Sequence, residues 1–430
     1  MRKNINKIVA FAIGISIMSG SIMPVFAADS TQSTSTAKVE TQTSQTNINI
    51  QQTNKKTVLT LDDAINLAIS NSDTLALDMK KINYQSNTND TNEELDDYNN
   101  VNGDQEDFKD DTRDLTLKQL KQQKDFDEDV LREKVTEKYN GIVTSQIKID
   151  KAAKALIIKN KELEDTKFKE SLGMVTLTDL KSTELEIRNL QNTQKSSENA
   201  LKDAEDSFKV LTDKDVTQYK LEEDIEYETL KIDSSVDTYL DDVIDKYLNY
   251  SEQIFKLNKD YYNDSDNKVL AGDVDDAKII AEAAIEPKRS DYLTDEEYMN
   301  EYDKYNNDKD GYTNAISARL TFLSNKLSVD TNQISLNKNK KVFKEQLKTY
   351  YTNLITSEDN INYLKQNIEV NNKKLSDAKL KYDLGMITES AYNTQVVSSE
   401  DLDLQLRSEI NNYNTLKEKI QKPWIAFSNS

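Results

Sequence analysis

The chain has 430 residues, with 77 acidic against 56 basic side chains, a formal charge of −21, and neither cysteine nor histidine. That inventory excludes a thiol nucleophile, a disulfide, a lipid carried on cysteine and an imidazole proton shuttle near neutral pH. An acid-dominated surface also disfavours nucleic-acid phosphates and direct docking on anionic lipid as partners. Neither a phosphate-binding loop nor a dinucleotide fingerprint occurs, and the carboxylates sit beside lysines as solvated ion pairs. No enzyme activity and no cofactor are expected.

In chain order, Arg2, Lys3 and Lys7 precede an apolar run over residues 8–18, and Val25-Phe26-Ala27 offers a small-residue cleavage site. The pattern is that of a secretory signal peptide cut after Ala27, because Gly14, Gly20 and Pro24 interrupt the run before it reaches membrane-spanning length. Residues 28–56 are rich in Thr, Ser, Gln and Asn, hold little to bury, and are expected to form a solvated linker. Order is expected from near Val58. No later stretch is apolar enough to cross a bilayer as a helix, so the mature chain is expected outside the cytoplasm, in the envelope or secreted, without direct membrane insertion.

Residues 59–75 read as a short helix, and residues 240–254 repeat their pattern without gaps: Leu61-Asp62-Asp63-Ala64-Ile65 pairs with Leu240-Asp241-Asp242-Val243-Ile244. A polar insert follows over 88–114, where Leu95, Tyr98, Val101 and Phe108 stand among Asn, Asp and Glu. Residues 128–170 then carry Val135, Ile142, Ile149, Leu156 and Leu163 at heptad spacing, the sign of a helix in a coiled-coil-like seam. At constant offset these match Leu347, Leu354, Ile361, Ile368 and Leu375. A rod of this kind, about 65 Å long at roughly 1.5 Å per residue, cannot bury its stripe alone.

Each long helix ends in a reversal. Leu172-Gly173-Met174-Val175-Thr176-Leu177-Thr178-Asp179-Leu180 is echoed by Leu384-Gly385-Met386-Ile387-Thr388. Glycine accepts the left-handed conformation past a helix end, and threonine three residues on caps the next helix. Asp179 completes a capping box with Thr176, whereas Ala391 occupies the equivalent place after Thr388 and leaves a weaker cap. The return helices keep the repeat through Leu180, Ile187, Gln194, Leu201 and Phe208 and through Tyr392, Ser399, Leu406, Tyr413 and Ile420. The duplication spans 57–230 and 231–425, and Pro24, Pro287 and Pro423, the three prolines of the chain, lie outside both hairpins.

The second insert, 262–312, contains a helical stretch over 277–284 and a capping box from Thr294 to Glu297 that introduces Tyr298, Tyr302 and Tyr305 at helical spacing. Residues 306–317 resemble a calcium loop, with oxygen side chains and Gly311 in place, but Ser317 stands where the bidentate glutamate belongs. A solvated acidic loop without a metal is the expectation. Ser145-Gln146-Ile147-Lys148 with Ser265-Asp266-Asn267 matches the motif pair of penicillin-binding enzymes, but no Lys-Thr-Gly follows and Ser145 falls in the heptad helix, so the match is coincidence. Among 21 tyrosines, Tyr139, Tyr351, Tyr382 and Tyr413 fall at or near the seams, where ring bodies pack and hydroxyls are expected to stay wet.

The opening Leu59-Thr60-Leu61 with Ala64-Ile65 and Leu67-Ala68, the turn over 172–180 and the duplication together resemble the TolC family of outer-membrane efflux proteins. The resemblance implies an all-α protomer of long antiparallel helical hairpins, three copies of which close a hollow barrel. It also implies a membrane-fusion adaptor and an inner-membrane transporter meeting the hairpin tips. By that resemblance Leu172, Gly173, Met174, Leu384, Gly385 and Met386 lie at the adaptor surface and Asp179 adds charge near the entrance; Ala391 makes an acidic constriction from both repeats doubtful. The family carries a membrane β-barrel hairpin in each insert, and a spanning strand needs about nine to eleven residues of alternating apolar character. Neither insert here supplies that, so a TolC-like helical form without the barrel is expected. Two functions fit: an export conduit or scaffold, and a rigid cell-surface spacer without transport.

Overall fold

The structure is a computed structural model that describes residues 56–427; the expected signal peptide and all but the last residue of the expected linker lie outside these residues. The described chain is almost wholly helical: α1 Leu61–Ser70, α2 Asp73–Tyr98, α3 Asp104–Ser171, α4 Leu177–Thr212, α5 Val236–Asn263, α6 Ala271–Ala283, α7 Asp295–Asp383, α8 Glu389–Gln421 and α9 Pro423–Phe427, with the strands β1 Val58–Leu59 and β2 Lys220–Leu221. It divides into two compact units. The insert unit holds Thr74–Phe126 and Ser234–Lys348; the hairpin unit holds the described residues up to Asp73, Asp127–Asp233 and those from Thr349 onward.

In the hairpin unit the helices lie side by side in the order α4, α3, α8, α7. Lys159 pairs with Glu186 of α4 at 2.9 Å, Lys154 with Glu400 of α8 at 2.5 Å, and Ser357 of α7 donates to Glu409 of α8 at 2.6 Å. The heptad positions bury as their spacing requires: Val135, Ile142 and Ile361 are fully buried and Leu354 nearly so, while Ile149, Leu156, Leu163, Ile368 and Leu375 are half-buried. Each full burial is worth roughly 1.5–3 kcal/mol, so the seam is strongest away from the turns.

The base of this unit is riveted by buried polar groups. The parallel pair β1–β2 aligns Leu59 with Leu221, and the Tyr139 hydroxyl donates to the Leu59 carbonyl (2.7 Å) while accepting from the Glu222 amide (2.8 Å). Tyr413, fully buried, accepts from the Leu230 amide at 2.8 Å. The expectation of wet hydroxyls is therefore corrected at Tyr139 and Tyr413: each satisfies backbone groups that no regular ladder reaches. Burial raises both phenol pKa values. Arg407 of α8 reaches Thr144 (3.2 Å), Asn140 (3.4 Å) and the Glu223 carbonyl, and burial pushes its pKa down. At the end of the described chain the lone tryptophan, Trp424, is buried and donates to Asp129 at 3.0 Å, beside Lys422 at the same distance.

The insert unit is a second helical layer in the order α2, α3, α5, α7. Asp96 of α2 takes Lys109 (2.5 Å) and Arg113 (2.6 Å) of α3; Gln119 of α3 donates to Ser251 of α5 (3.0 Å); Tyr262 of α5 accepts from Asn325 of α7 (2.8 Å). Phe108 stacks on Tyr261 with centroids 3.9 Å apart, and Tyr262 meets Phe322. Burial drives the Tyr262 phenol to about 12. For Asp96, burial opposes ionisation but the hydrogen bonds from Arg113 and Lys109 overcome it, and the carboxyl is held below its ordinary pKa. Along α5 and α7, Lys348 pairs with Asp237 (2.7 Å), Lys344 with Asp241 (2.7 Å) and Lys340 with Asp245 (2.8 Å). Lys309 and Arg319 of α7 donate to the Ala281 and Val269 carbonyls, seating α6 through its buried Ala277 and Ala281.

Several expectations change here. The insert 88–114 is the end of α2, a turn with Asn100 and Gly103 at positive φ, and the start of α3, locked by the Asp96 clamp. The second short helix is the 28-residue α5, whereas the first breaks at Asn71, whose side-chain amide donates to the Val210 and Leu211 carbonyls. Residues 306–317 are not a loop, because they lie inside α7. On a helix places one and five share a face while place three points to the other side, so the three cannot converge on one ion. The helix over 277–284 is present as α6, and Thr294 and Glu297 exchange both capping bonds, at 3.1 and 3.3 Å. Both inserts are helical among the described residues, and no described helix is long and apolar enough to cross a membrane.

Two outcomes are expected from this packing. Asp129→Ala removes the acceptor of a buried indole, which costs about 1–3 kcal/mol; tryptophan fluorescence should shift to the red, and an unshifted emission maximum would rule the clamp out. The Asp237 carboxyl is held below its ordinary pKa by the Lys348 hydrogen bond. Its contribution is thus present above the unfolded-state value and lost as pH falls through the lower folded value. The melting difference between wild type and Asp237→Asn should shrink below about pH 4; a difference constant down to lower pH contradicts the charge role.

Candidate functional site

The two reversals repeat one local chemistry. At the end of α3 the Gly173 amide bonds the Glu170 carbonyl (2.9 Å) and the Met174 amide the Lys169 carbonyl (2.9 Å); after α7 the Gly385 amide bonds Tyr382 (2.9 Å) and the Met386 amide bonds Lys381 (2.8 Å). These are Schellman closures, and they require φ values of 69° at Gly173 and 71° at Gly385, in the left-handed region that glycine occupies freely. The turn leaves Leu172, Met174, Leu384 and Met386 between 58 and 69% exposed.

The starts of the return helices differ. The Asp179 carboxylate accepts from both the Thr176 hydroxyl (2.7 Å) and its amide (2.8 Å), and the Thr176 hydroxyl accepts from the Asp179 amide (3.2 Å). These bonds from Thr176 hold the Asp179 carboxyl below its ordinary pKa, so the charge is engaged in the cap. Thr388 accepts only from the Ala391 amide, at 3.2 Å. The second hairpin is braced instead by Tyr382 of α7 stacked on Tyr392 of α8, with centroids 5.5 Å apart and rings 8° from parallel, and by the Lys379 ammonium over both rings. Glu170 and Leu180 take those places in the first hairpin. The heptad places Tyr392 in the seam, and its position across the tight turn from Tyr382 sets the two rings against each other.

Both reversals lie at one end of the hairpin unit. The Lys161–Glu389 bridge (2.8 Å) joins α3 to α8 just behind them, and Lys154–Glu400 repeats the link farther back. Glu389 is held below its ordinary pKa by the hydrogen bond from Lys161. The result is a four-helix end that presents two apolar pairs, one beside each glycine. Such a surface can receive a protein partner.

A scan against protein-family models and a search of curated proteins found no match. Solved structures do match. A membrane protein from Pseudomonas aeruginosa is 9% identical with a TM-score of 0.56, over 85% of this chain and 92% of that one. The outer-membrane channel OprN is 10% identical with a TM-score of 0.51, over 85% of this chain and 90% of that one. The fold is TolC-like. At such identities the likeness is one of fold.

Valine resists positive φ by roughly 1–2 kcal/mol, whereas asparagine tolerates it better. Amide exchange over residues 169–174 should therefore accelerate in the order wild type, Gly173→Asn, Gly173→Val, and Gly385 substitutions should do the same over 381–386. Tyr392→Ala should speed exchange at the second turn alone. Equal exchange in all variants would contradict these turn assignments.

Proposed function

We propose that the protein is an exported, non-enzymatic component of an envelope export assembly, a conduit or scaffold built from three copies whose hairpin tips meet a membrane-fusion adaptor. The observation that carries this reading is the paired display of Leu172 and Met174 with Leu384 and Met386 at one end of a TolC-like helical layer. Exposed apolar side chains grouped around rigid turns suit a partner's helical tip better than solvent. The TolC-like fold supports the trimer, since a single chain supplies two long hairpins and cannot close a ring alone. By the same family resemblance an inner-membrane transporter stands behind the adaptor, and the signal peptide delivers the chain to the envelope.

The rigid cell-surface spacer is the competing reading, favoured by inserts that are helical rather than strand-forming. Mass separates the two. Light scattering of residues 28–430 over a range of concentrations should give a stable mass of about three protomers, as a ring requires. In the same assembly Met174→Asp with Met386→Asp should leave the mass unchanged and abolish adaptor capture. A strict monomer at every concentration turns the assignment to the spacer.

A further inference from the structure

The chain contains two Asn-Gly steps, Asn102-Gly103 and Asn140-Gly141, and the fold treats them in opposite ways. An asparagine followed by glycine is the pair at which the backbone most readily attacks its own side chain, because glycine sets no side chain beside the attacking amide nitrogen. The attack needs that amide free of hydrogen bonds and the asparagine free to swing towards it. Asn140-Gly141 meets neither need. It lies inside α3, where the helical ladder ties the Gly141 amide to the carbonyl four residues back, and the half-buried Asn140 side chain is pinned through its Oδ1 by the Arg407 guanidinium at 3.4 Å. Asn102-Gly103 lies in the turn from α2 to α3, with both residues exposed. The Gly103 amide has no hydrogen-bond partner among the described residues, and nothing lies within 4 Å of the place a Cβ would take there. The Asn102 side chain is held through its nitrogen, which donates to the Asn100 carbonyl at 3.2 Å on the open surface.

We propose that Asn102 is a site of spontaneous deamidation in the folded protein, with water as the co-reactant, and that the helix and Arg407 protect Asn140 from the same reaction. The Gly103 nitrogen, its proton taken by hydroxide, bonds to Cγ of Asn102; the bond from Cγ to the side-chain nitrogen breaks, and that nitrogen leaves as ammonia once it has taken up a proton from water. Water then opens the resulting succinimide at either carbonyl, which leaves aspartate or isoaspartate at this position. Nothing is oxidised or reduced: an amide and a water become an acid and ammonia. Either product alters the turn. A carboxylate cannot donate to the Asn100 carbonyl, so that bond is lost. Isoaspartate also lengthens the main chain by a methylene in a reversal where Asn100 and Gly103 stand at φ 52° and 63° and the Val101 amide must reach the Asp96 carbonyl at 2.9 Å. The extra length loosens the link between α2 and α3.

The reaction is independent of what the protein assembles with, and it can be followed on the purified full chain. The folded protein is kept in mildly alkaline buffer made with heavy-oxygen water, and its peptides are read by mass spectrometry over time. The peptide holding Asn102 should gain the mass of an amide-to-acid exchange together with heavy oxygen from the solvent, several-fold faster than the peptide holding Asn140. In denaturant the gap between the two should close, because the helix and Arg407 no longer shield Asn140. The variant N102Q should stop the change at this position and leave the slow reaction at Asn140 as it was. Amide exchange over residues 95–103 should be faster in the aged protein than in N102D, which carries the charge without the extra methylene. Equal rates at Asn102 and Asn140 in the folded protein, or a gap that persists in denaturant, overturns the protection by the fold. An Asn102 that keeps its amide while Asn140 loses its own overturns the site. Exchange in the aged protein no faster than in N102D overturns the loosening of the turn.

Discussion

The constraint on which the molecule depends is that a single long helix with a heptad apolar stripe cannot keep that stripe from water by itself. Folding back through a tight reversal is the shortest way to supply the partner helix, and the chain does so after α3 and again after α7. The left-handed glycine makes the reversal short, the short reversal keeps the two arms in register, and register lets Ile142, Leu354 and Ile361 bury completely. A longer or looser connection would let one arm slide by a residue, which rotates the whole stripe by about 100°.

Side-by-side helices still leave the irregular connections to be anchored. Residues 222–230 have no ladder of their own, yet the Glu222 and Leu230 amides find tyrosine hydroxyls and the Glu223, Glu226 and Glu228 carbonyls find Arg407, Asn414 and Lys417. Burying a tyrosine or an arginine is costly unless its polar atoms are satisfied, and here the backbone satisfies them. The raised phenol values at Tyr139 and Tyr413 and the lowered value at Arg407 share one cause, removal from water. The acidic excess of the chain is handled differently: lysines of α7 are spaced to meet the aspartates of α5 in turn.

Much of this was legible in the residues. The spacing of Val135, Ile142 and their counterparts gives the hairpin arms, and the order of glycine and threonine gives the turns and the unequal caps. What escaped were features that depend on distant partners. Residues 88–114 hold too few apolar groups for periodicity to register, and their helices are set by the Asp96 clamp to Lys109 and Arg113. Residues 306–317 contain the oxygen pattern of a cation loop, but the capping box at Thr294 starts a helix that runs through them. The tip residues themselves were legible as turns, while the bridge from Lys161 to Glu389 that sets the two turns side by side lies between segments far apart in sequence.

The two tips are held by different physics. One is closed by a carboxylate that accepts from its threonine, and the other by stacked phenol rings under an ammonium group. Loss of the carboxylate loosens the first cap and leaves the ring stack in place; loss of aromatic packing does the reverse. The chain therefore carries two ends that are alike in outline and unlike in make-up, and a partner that presses on both meets one surface set by directional hydrogen bonds and one set by ring faces.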